Sequence, residues 1–457
     1  MLQQQRRPSI LSSLRTGLLG LNLQAWIRRQ PYLQRIYRLF PQGLRDQLAA
    51  LLSARSVAQT RFQRTSAWDA AQGAARPWQA KMNSPSLQSP GVNILGYIRG
   101  EFGLAESARM YARALIDAGV PVALYDIDLG MPHSWGDHSM DGFIDERLPH
   151  PVSIVFVNPD YLEAALEHVG KARMENRYVI VCWFWELEKI PDAWQEAIRH
   201  VDEIMVASKF IEDAFRRITE KPIMRLPLPL SAVHDSGLQR PDFGLDSDKF
   251  LFLCSFDFHS FIARKNPHAV VRAFLAAFPP GRDDVRLLVK SSNGHLHPDS
   301  MRDLLNVVAG DPRILVRDEV IDRGHVHALQ RCCDAYVSLH RAEGFGLGLA
   351  ECMALGKPVI ATGWSGNMEF MDSTNSCLVD YELVPVAEGD YPDSDGARWA
   401  EADVACAAEA MRRLADDPVR ARALGEVAKR HVCRHLSPER AAQRLLARIV
   451  EVVPESS

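Results

Sequence analysis

The stretch from Ser338 to Thr362 reads Ser-Leu-His-Arg-Ala-Glu-Gly-Phe-Gly-Leu-Gly-Leu-Ala-Glu-Cys-Met-Ala-Leu-Gly-Lys-Pro-Val-Ile-Ala-Thr. It predicts a strand, a glycine-rich turn, a short helix, a glycine stop and a second strand. Gly344, Gly346 and Gly348 let the backbone approach a ligand closely, and the turn opens a helix whose amide groups and dipole favour a phosphate. The pattern therefore predicts a diphosphate site at the start of a helix.

Two carboxylates flank this turn. Glu343 lies on the loop at the end of the predicted strand, and Glu351 lies eight residues later, inside the predicted helix. We expect both side chains to face one cleft, because a loop at a strand end and the helix it opens border the same space. Carboxylates in such a cleft can accept hydrogen bonds from sugar hydroxyls.

On either side of this stretch, short apolar strands alternate with helical segments, which is typical of doubly wound parallel sheets. One series begins near Gly91 and a second at Phe250, and the polar stretch from Ser231 to Lys249 between them predicts an interdomain linker. The predicted fold class is α/β, with two facing Rossmann-like domains whose ligands bind in the cleft between them. The predicted boundaries are an extension and linker over 1–90, domains over 91–235 and 245–440, and a helix and tail over 441–457.

The first 90 residues are strongly basic. They contain twelve Arg, one Lys and two Asp, which gives a net charge of +11. Because the whole chain has a net charge of −4, the remaining residues carry a net charge of −15. Apolar residues recur at helical spacing around Leu19 to Ile27 and Leu33 to Phe40, which predicts short amphipathic helices. Two interpretations stay open: these helices dock on the acidic body of the protein, or they anchor it to an anionic membrane surface.

Composition excludes several classes of protein. The 47% hydrophobic and 24% charged content excludes wholesale disorder. Eight scattered cysteines without a CxxC pair fit neither a disulfide framework nor a zinc site, which favours reduced thiols and the cytoplasm. We expect no transmembrane span and no secretory signal, although the acid-free first 45 residues resemble a transit peptide in composition.

The two glutamates around Gly-Phe-Gly, followed by Ala-Leu-Gly-Lys-Pro-Val-Ile-Ala-Thr, resemble the signature of the family 4 retaining glycosyltransferases, which have the GT-B fold. The resemblance covers roughly residues 91–445. It implies that the second domain binds the donor and the first the acceptor. By this resemblance Glu351 holds the donor's ribose hydroxyls and Glu343 lies near the donor sugar. The loop that contacts the diphosphate comprises Gly344, Phe345, Gly346 and Leu347.

A second match follows the first strand of the second domain. Lys265 resembles the phosphate-binding lysine of the family, and Arg264 beside it is a further candidate cation. Cations there would neutralise the charge that grows on the leaving diphosphate. The family usually has an Arg about six residues before the lysine, whereas this chain has His259, so the identity of the second cation stays open.

Further candidates come from strand ends and turns. Lys290, at the end of a predicted strand, can add charge near the donor. By resemblance, the turn containing Ser365, Gly366 and Asn367 neighbours the donor sugar.

The first domain supplies a smaller set of candidates. Its glycine turn resembles that of bacterial surface-polysaccharide glycosyltransferases, and in these the matching positions border the cleft and meet donor phosphate or acceptor: Glu101, Phe102 and Gly103. Glu186 follows Trp183 to Trp185 at a strand end, where the aromatic rings either stack on a sugar or pack in the core.

The resemblance implies a retaining transferase that moves a hexose, mannose being one candidate, from a nucleotide-diphosphate sugar to a glycan or lipid-linked glycan in polysaccharide biosynthesis. It implies a cytoplasmic enzyme, peripheral on the inner face of the plasma membrane if the basic segment binds lipid. We expect no cofactor, no metal and no nucleic-acid partner. The rival hypotheses are a sugar-nucleotide 2-epimerase of the same fold and an inactive GT-B-like membrane scaffold.

Overall fold

The computed structural model describes residues 90–130, 135–231 and 233–453, together with five single residues that precede them: Trp26, Gln30, Tyr32, Ser66 and Trp68. The amphipathic helices predicted around Leu19 to Ile27 and Leu33 to Phe40 lie outside these ranges, apart from Trp26.

The first domain is built on a six-stranded parallel sheet. Its strand order is β2-β1-β3-β4-β5-β6. The central strands are buried along their whole length, as expected for a sheet covered on both faces. The strands are β1 Val92–Gly96, β2 Val122–Asp126, β3 Val152–Phe156, β4 Tyr178–Cys182, β5 Glu203–Val206 and β6 Ile223–Arg225.

The second domain repeats this design with a second parallel sheet. Its order is β12-β11-β10-β7-β8-β9, so that β10, the strand before the glycine-rich loop, lies at the centre. These strands are β7 Phe250–Asp257, β8 Val285–Ser292, β9 Ile314–Asp318, β10 Ala335–Ser338, β11 Val359–Thr362 and β12 Cys377–Val379. Two Rossmann-like domains with parallel sheets are therefore confirmed.

Helices cover both sheets. In the first domain they are α1 Gly103–Asp117, α2 Pro159–Val169, α3 Lys171–Met174, α4 Trp194–Arg199 and α5 Lys209–Phe215. In and after the second domain they are α6 Ile262–Lys265, α7 Pro267–Ala277, α8 Pro298–Val308, α9 Arg323–Cys332, α10 Leu347–Ala354, α11 Val404–Asp416, α12 Pro418–His435 and α13 Pro438–Val452. Among the described residues no helix is long and apolar enough to cross a membrane.

Two features of the fold were not predicted. Strand β2 is one of them, and the other is an antiparallel hairpin of β13, Tyr381–Pro385, and β14, Arg398–Ala402. Residues 386–397 connect the two hairpin strands and reach towards the first domain, where Lys189 donates a hydrogen bond to the carbonyl oxygen of Asp395 at 3.1 Å.

The chain crosses between the domains twice. It leaves the first domain after β6 and returns through α12 and α13, and α13 packs against α1. Arg448 on α13 forms a 2.9 Å ion pair with the buried carboxylate of Glu203 in β5. The C-terminal helix is therefore part of the first domain's packing.

Trp68, in the basic N-terminal segment, lies in the hydrophobic core. Trp68 is 1% exposed, and its indole nitrogen donates a hydrogen bond to the carbonyl oxygen of Asp242 at 3.0 Å. Its ring packs edge-on against Phe243 and His325, with centroid distances of 5.2 and 5.0 Å. This part of the segment docks on the protein's own body.

Candidate active site

A cleft of about 520 Å³ lies at the carboxyl ends of both sheets. Segments that follow β1, β3, β4 and β6 form one wall, and segments that follow β7, β9 and β10 form the other. This is where open α/β sheets bind ligands. A larger surface hollow of about 640 Å³ lies between α2 and α4 on the first domain and contains none of the predicted site residues.

Glu343 lies at the centre of a buried charge cluster in this cleft. One carboxylate oxygen accepts a hydrogen bond from Lys265 Nζ at 2.5 Å, and the other lies 3.2 Å from Arg264 Nη1. Arg264 also donates to the carbonyl oxygen of Ala342 at 2.9 Å. The predicted catalytic residues are therefore brought together in the folded chain.

The cluster shifts the titration of its members. Burial by itself would raise the pKa of Glu343, but Lys265 and Arg264 lower this pKa to about 2, so the carboxylate is ionised at neutral pH. Burial opposes the charge of Arg264, and Glu186 and Glu343 outweigh it, so its pKa is raised. Burial lowers the pKa of Lys265 against the attraction of Glu343.

Glu351 lies at the other end of the glycine-rich loop and is 4% exposed. Its carboxylate pairs with Arg323 and accepts a hydrogen bond from Gln330 Nε2 at 3.1 Å. His327 Nε2 lies 3.5 Å away. Burial acts to raise the pKa of Glu351, and Arg323, followed by His327 and Gln330, lowers it to about 2.

The loop between the two glutamates is shaped by close backbone contacts. Gly346 has a φ of +91°, a conformation that L side chains rarely adopt, and it directly precedes α10. At Gly366 an added Cβ atom would lie 2.1 Å from the carbonyl oxygen of Gly344. That oxygen also accepts a 2.8 Å hydrogen bond from Ser208 of the first domain. The loop is thus held by Gly366 of the second domain and by Ser208 of the first domain.

Gly344, Phe345, Gly346 and Leu347, the predicted diphosphate loop, all line the cleft. Helix α10 begins at Leu347 and helix α1 begins at Gly103, and both residues line the cleft. Because the first amides of a helix lack partners within it, two helix N-termini border the space predicted for the diphosphate.

The structure places the turn from Ser365 to Asn367 behind this loop. The Ser365 hydroxyl accepts a 2.8 Å hydrogen bond from the Glu343 amide, and the Gly366 amide donates to the Glu343 carbonyl oxygen at 2.8 Å. Asn367 is fully buried, and its amide oxygen lies 3.0 Å from Nε2 of His340. These residues support the position of Glu343, and their predicted contact with the donor sugar stays a prediction.

Lys290 lies on β8, two strands from β10, and is 8% exposed. In the sheet it is in register with Ser255 of β7 and Arg317 of β9. Burial lowers its pKa, opposed by Asp318, Asp257 and Glu319. The structure does not bring it into the Glu343 cluster.

The glycine turn of the first domain reaches the cleft at one of its three predicted positions. Gly103 lines the cleft, whereas the Phe102 ring packs against Tyr97 and Trp135 at centroid distances of 5.3 and 6.4 Å. Glu101 is exposed, beside Gly136.

Glu186 does line the cleft, and it joins the two domains. One carboxylate oxygen accepts a 2.5 Å hydrogen bond from the Tyr391 hydroxyl, which belongs to the hairpin connection of the second domain. The other oxygen lies 3.7 Å from Arg264 Nη2. A continuous polar network therefore runs from Tyr391 through Glu186 and Arg264 to Glu343.

Sequence reasoning missed two residues of this site. Arg323 lines the cleft, pairs with Glu351 and lies 3.8 Å from Glu106 of α1, but nothing in its sequence surroundings distinguishes it from a surface arginine. Tyr391 lies in a polar loop far from either motif. His259, which stands at the position of the family's arginine, lies with its ring nitrogen 3.1 Å from that of His297.

Across the described residues, no group of three or more His, Cys, Asp or Glu side chains is arranged to hold a metal ion.

Comparison with protein families gives a match over residues 212–445 to the family described as "Family 4 Glycosyltransferase in conflict systems". The match spans the interdomain linker, the second domain and the start of α13. Comparison with curated protein sequences finds no match.

Two solved structures, sucrose-phosphate synthase and HepE, share the fold. Sucrose-phosphate synthase from Thermosynechococcus elongatus is 16% identical, with a TM-score of 0.59 over 79% of this chain and 99% of that one. The Anabaena HepE protein in complex with UDP and glucose is 13% identical, with a TM-score of 0.56 over 79% of this chain and 100% of that one. The pneumococcal O-GlcNAc transferase GtfA, 14% identical with a TM-score of 0.48, aligns over 66% of this chain, which spans 56% of its length.

Proposed function

The chain belongs to the family 4 glycosyltransferases, and on that premise we propose that it moves a hexose from a nucleotide-diphosphate sugar to a glycan or lipid-linked glycan, with retention of the anomeric configuration. The HepE protein, which has the same fold, was solved with UDP and glucose, and this supports a nucleotide-sugar donor. The matched family is described by its occurrence in conflict systems. For this chain we propose a role in polysaccharide biosynthesis at an anionic membrane surface.

One observation carries the proposal. The glycine-rich loop runs between two buried, ionised carboxylates, Glu351 and Glu343, and the second is held by two cations, Lys265 and Arg264. A nucleotide sugar has the same order of groups: a ribose with two hydroxyls, a diphosphate, and a sugar with further hydroxyls. The site therefore matches such a donor group by group.

Each part of the site has a chemical role in the proposed reaction. Glu351 accepts hydrogen bonds from the ribose hydroxyls, and the loop amides together with the N-termini of α1 and α10 bind the diphosphate. Lys265 and Arg264 stabilise the charge that grows on the diphosphate as the glycosidic bond breaks. Glu343, ionised and fixed by the two cations, orients the sugar through its hydroxyls. The phosphate of the donor helps to accept the acceptor's proton.

The test begins with a thermal-shift screen of the full chain against UDP-, GDP-, dTDP- and ADP-hexoses. A ligand at 100 times its dissociation constant adds about 2.7 kcal/mol of stability, which shifts the melting temperature measurably. The donor that binds is then supplied with a labelled hexose and a membrane lipid extract. NMR of the product gives its anomeric configuration.

We expect a labelled glycan or glycolipid in which the donor's configuration is retained, and none with the variant Glu351→Gln. An inverted product contradicts the proposed mechanism. Recovery of an epimerised donor assigns the 2-epimerase activity instead, and the absence of binding to every donor contradicts the proposal as a whole.

A further inference from the structure

Phe261, which directly follows the cleft residue Ser260, combines two unusual properties. Its φ and ψ angles are +60° and +100°, a conformation that costs a non-glycine residue of order 1 to 3 kcal/mol. Its ring is 42% exposed, one of few large apolar side chains in the described chain left in solvent. Backbone strain together with an exposed aromatic ring is typical of a residue whose side chain binds a ligand.

The backbone at this position has a structural task. The Phe261 carbonyl oxygen accepts hydrogen bonds from the amides of Arg264 and Lys265 at 3.0 and 3.1 Å, so this turn starts the helix that presents the two cations. A glycine would adopt the same φ angle without strain. The turn therefore explains the conformation of Phe261 but not its side chain.

The ring lies beside polar groups that face the cleft. It packs edge-on against Tyr391 at a centroid distance of 5.0 Å, and Tyr391 in turn packs on Trp185 at 5.5 Å. The Tyr391 hydroxyl donates to Glu186, whose side chain is 21% exposed and lines the cleft next to Arg264. Ser260, directly before Phe261, also lines the cleft.

We propose that Phe261 and Glu186, with Tyr391 behind them, form a subsite for the sugar ring of the acceptor. This rests on the proposed function, because the subsite adjoins the cluster of Glu343 and Lys265 on the side of the first domain. A pyranose presents an apolar C–H face, which stacks on an aromatic ring, and an edge of hydroxyls, which hydrogen-bond to a carboxylate.

The proposed subsite binds a sugar rather than a lipid chain. An alkyl chain would need a continuous apolar groove, whereas the cleft next to Phe261 is lined by Ser260, which directly precedes it, and by Glu186 and Arg264, whose side chains lie 3.7 Å apart. The polar groups match a ring of hydroxyls.

The experiment uses saturation-transfer NMR on the full chain with octyl α-mannoside, octyl α-glucoside and octyl α-galactoside below their micelle concentrations. We expect saturation of the pyranose protons, for at least one sugar, and a loss of about threefold or more in Phe261→Ala. The variant Phe261→Tyr keeps a ring and should retain the signal. Tyr161→Ala removes an aromatic ring on α2 that is 44% exposed, and serves as the matched control that leaves the signal unchanged.

Four results would overturn the subsite: signal on the octyl protons alone, signal that Phe261→Ala leaves intact, no signal with any glycoside, or a donor affinity that falls in Phe261→Ala as strongly as the glycoside signal. Donor affinity, measured separately with the hexose donor found by the thermal-shift screen, should change less than twofold in Phe261→Ala. If donor affinity falls as strongly as the glycoside signal, Phe261 acts through Arg264 and Lys265 alone and the subsite is wrong. If no donor binds at all while the glycoside signal behaves as expected, the proposed transferase activity fails and the sugar subsite stands.

Discussion

Glu351 is a buried carboxylate that is fully engaged with its neighbours and that we propose also binds the donor. Its partners are Arg323, Gln330 and His327, all on α9, so it is neutralised before any donor arrives. A ribose that binds Glu351 therefore enters a site whose charge is already balanced, and the hydrogen bonds of its hydroxyls add to an existing network rather than create one.

We expect Glu351→Ala to weaken donor binding by roughly 1.5 to 3 kcal/mol, because it removes a charged acceptor for two hydroxyls. Isothermal titration calorimetry with the donor found by the screen measures this loss. Glu163→Ala, a carboxylate that is 80% exposed on α2, is the matched control. Unchanged donor affinity in a variant with an unchanged circular dichroism spectrum contradicts the role of Glu351.

Lys265 should affect turnover more than donor binding, because the charge that it meets is largest in the transition state. For Lys265→Ala we expect the fall in kcat to exceed the fall in donor affinity, with Lys171→Ala, a 57% exposed lysine, as the control. Steady-state kinetics and donor titration provide the two quantities. A higher KM with an unchanged kcat would make Lys265 a binding group only.

Acid should remove the contribution of both active-site glutamates to stability. The pKa values of Glu343 and Glu351 are lowered from 4.5 to about 2, so their ion pairs stabilise the fold fully above pH 4.5. This stabilisation is lost as the pH falls from 4.5 towards 2, because over this range the unfolded chain binds protons at these two carboxylates and the folded chain does not. We expect the gap in melting temperature between the native chain and Glu343→Gln to be widest above pH 5 and to shrink below pH 4. A gap that is constant with pH contradicts this.

At the scale of secondary structure, the sequence predicted the elements with strong patterns. The buried strands of both sheets and the loop between Glu343 and Glu351 carry continuous apolar runs or glycine turns, and they formed within a few residues of the predicted limits. Strand β2 is a five-residue edge strand after Pro121, and its apolar run from Val122 to Tyr125 is too short to be distinguished from a loop by pattern alone. The hairpin of β13 and β14 is held by contacts with both domains: Glu401 pairs with Arg341 of the second domain at 2.5 Å, and Asp395 of the connection accepts a hydrogen bond from Lys189 of the first domain.

The candidate site shows the same division. Glu343, Lys265 and Arg264 were found because they stand in or beside motifs, and the fold brings them together. Tyr391 and Arg323 reach the cleft through contacts between elements far apart in sequence, so only the assembled structure identifies them.

The segment around Trp68 should behave as part of the body. Removing a buried Trp side chain costs roughly 3 to 5 kcal/mol, so we expect Trp68→Ala to lower stability strongly. Trp26→Ala, whose ring is 55% exposed, should change it little. Urea unfolding followed by fluorescence provides the comparison. Equal midpoints for both variants would contradict the docking of Trp68.

For the whole molecule, the basic N-terminal segment predicts a second surface to which the protein binds. Trp68 is docked, but the +11 charge of residues 1–90 and their predicted amphipathic faces still predict binding to anionic vesicles, which should weaken as salt is added. Co-sedimentation with anionic and neutral vesicles compares the full chain with a chain that starts at Thr60 and keeps Trp68. Equal sedimentation of the two chains contradicts a membrane role for the first 59 residues.

The two crossings of the chain between the domains meet at one point. The amide of Leu230, on the outward crossing, donates a 2.8 Å hydrogen bond to the carbonyl oxygen of Leu436, on the return crossing. Two tethers that share a point leave the domains few rigid-body degrees of freedom: they can rotate about that point but cannot drift apart. We therefore expect any opening of the cleft to be a rotation about that point, in which each half of the cleft stays at a high effective concentration with respect to the other.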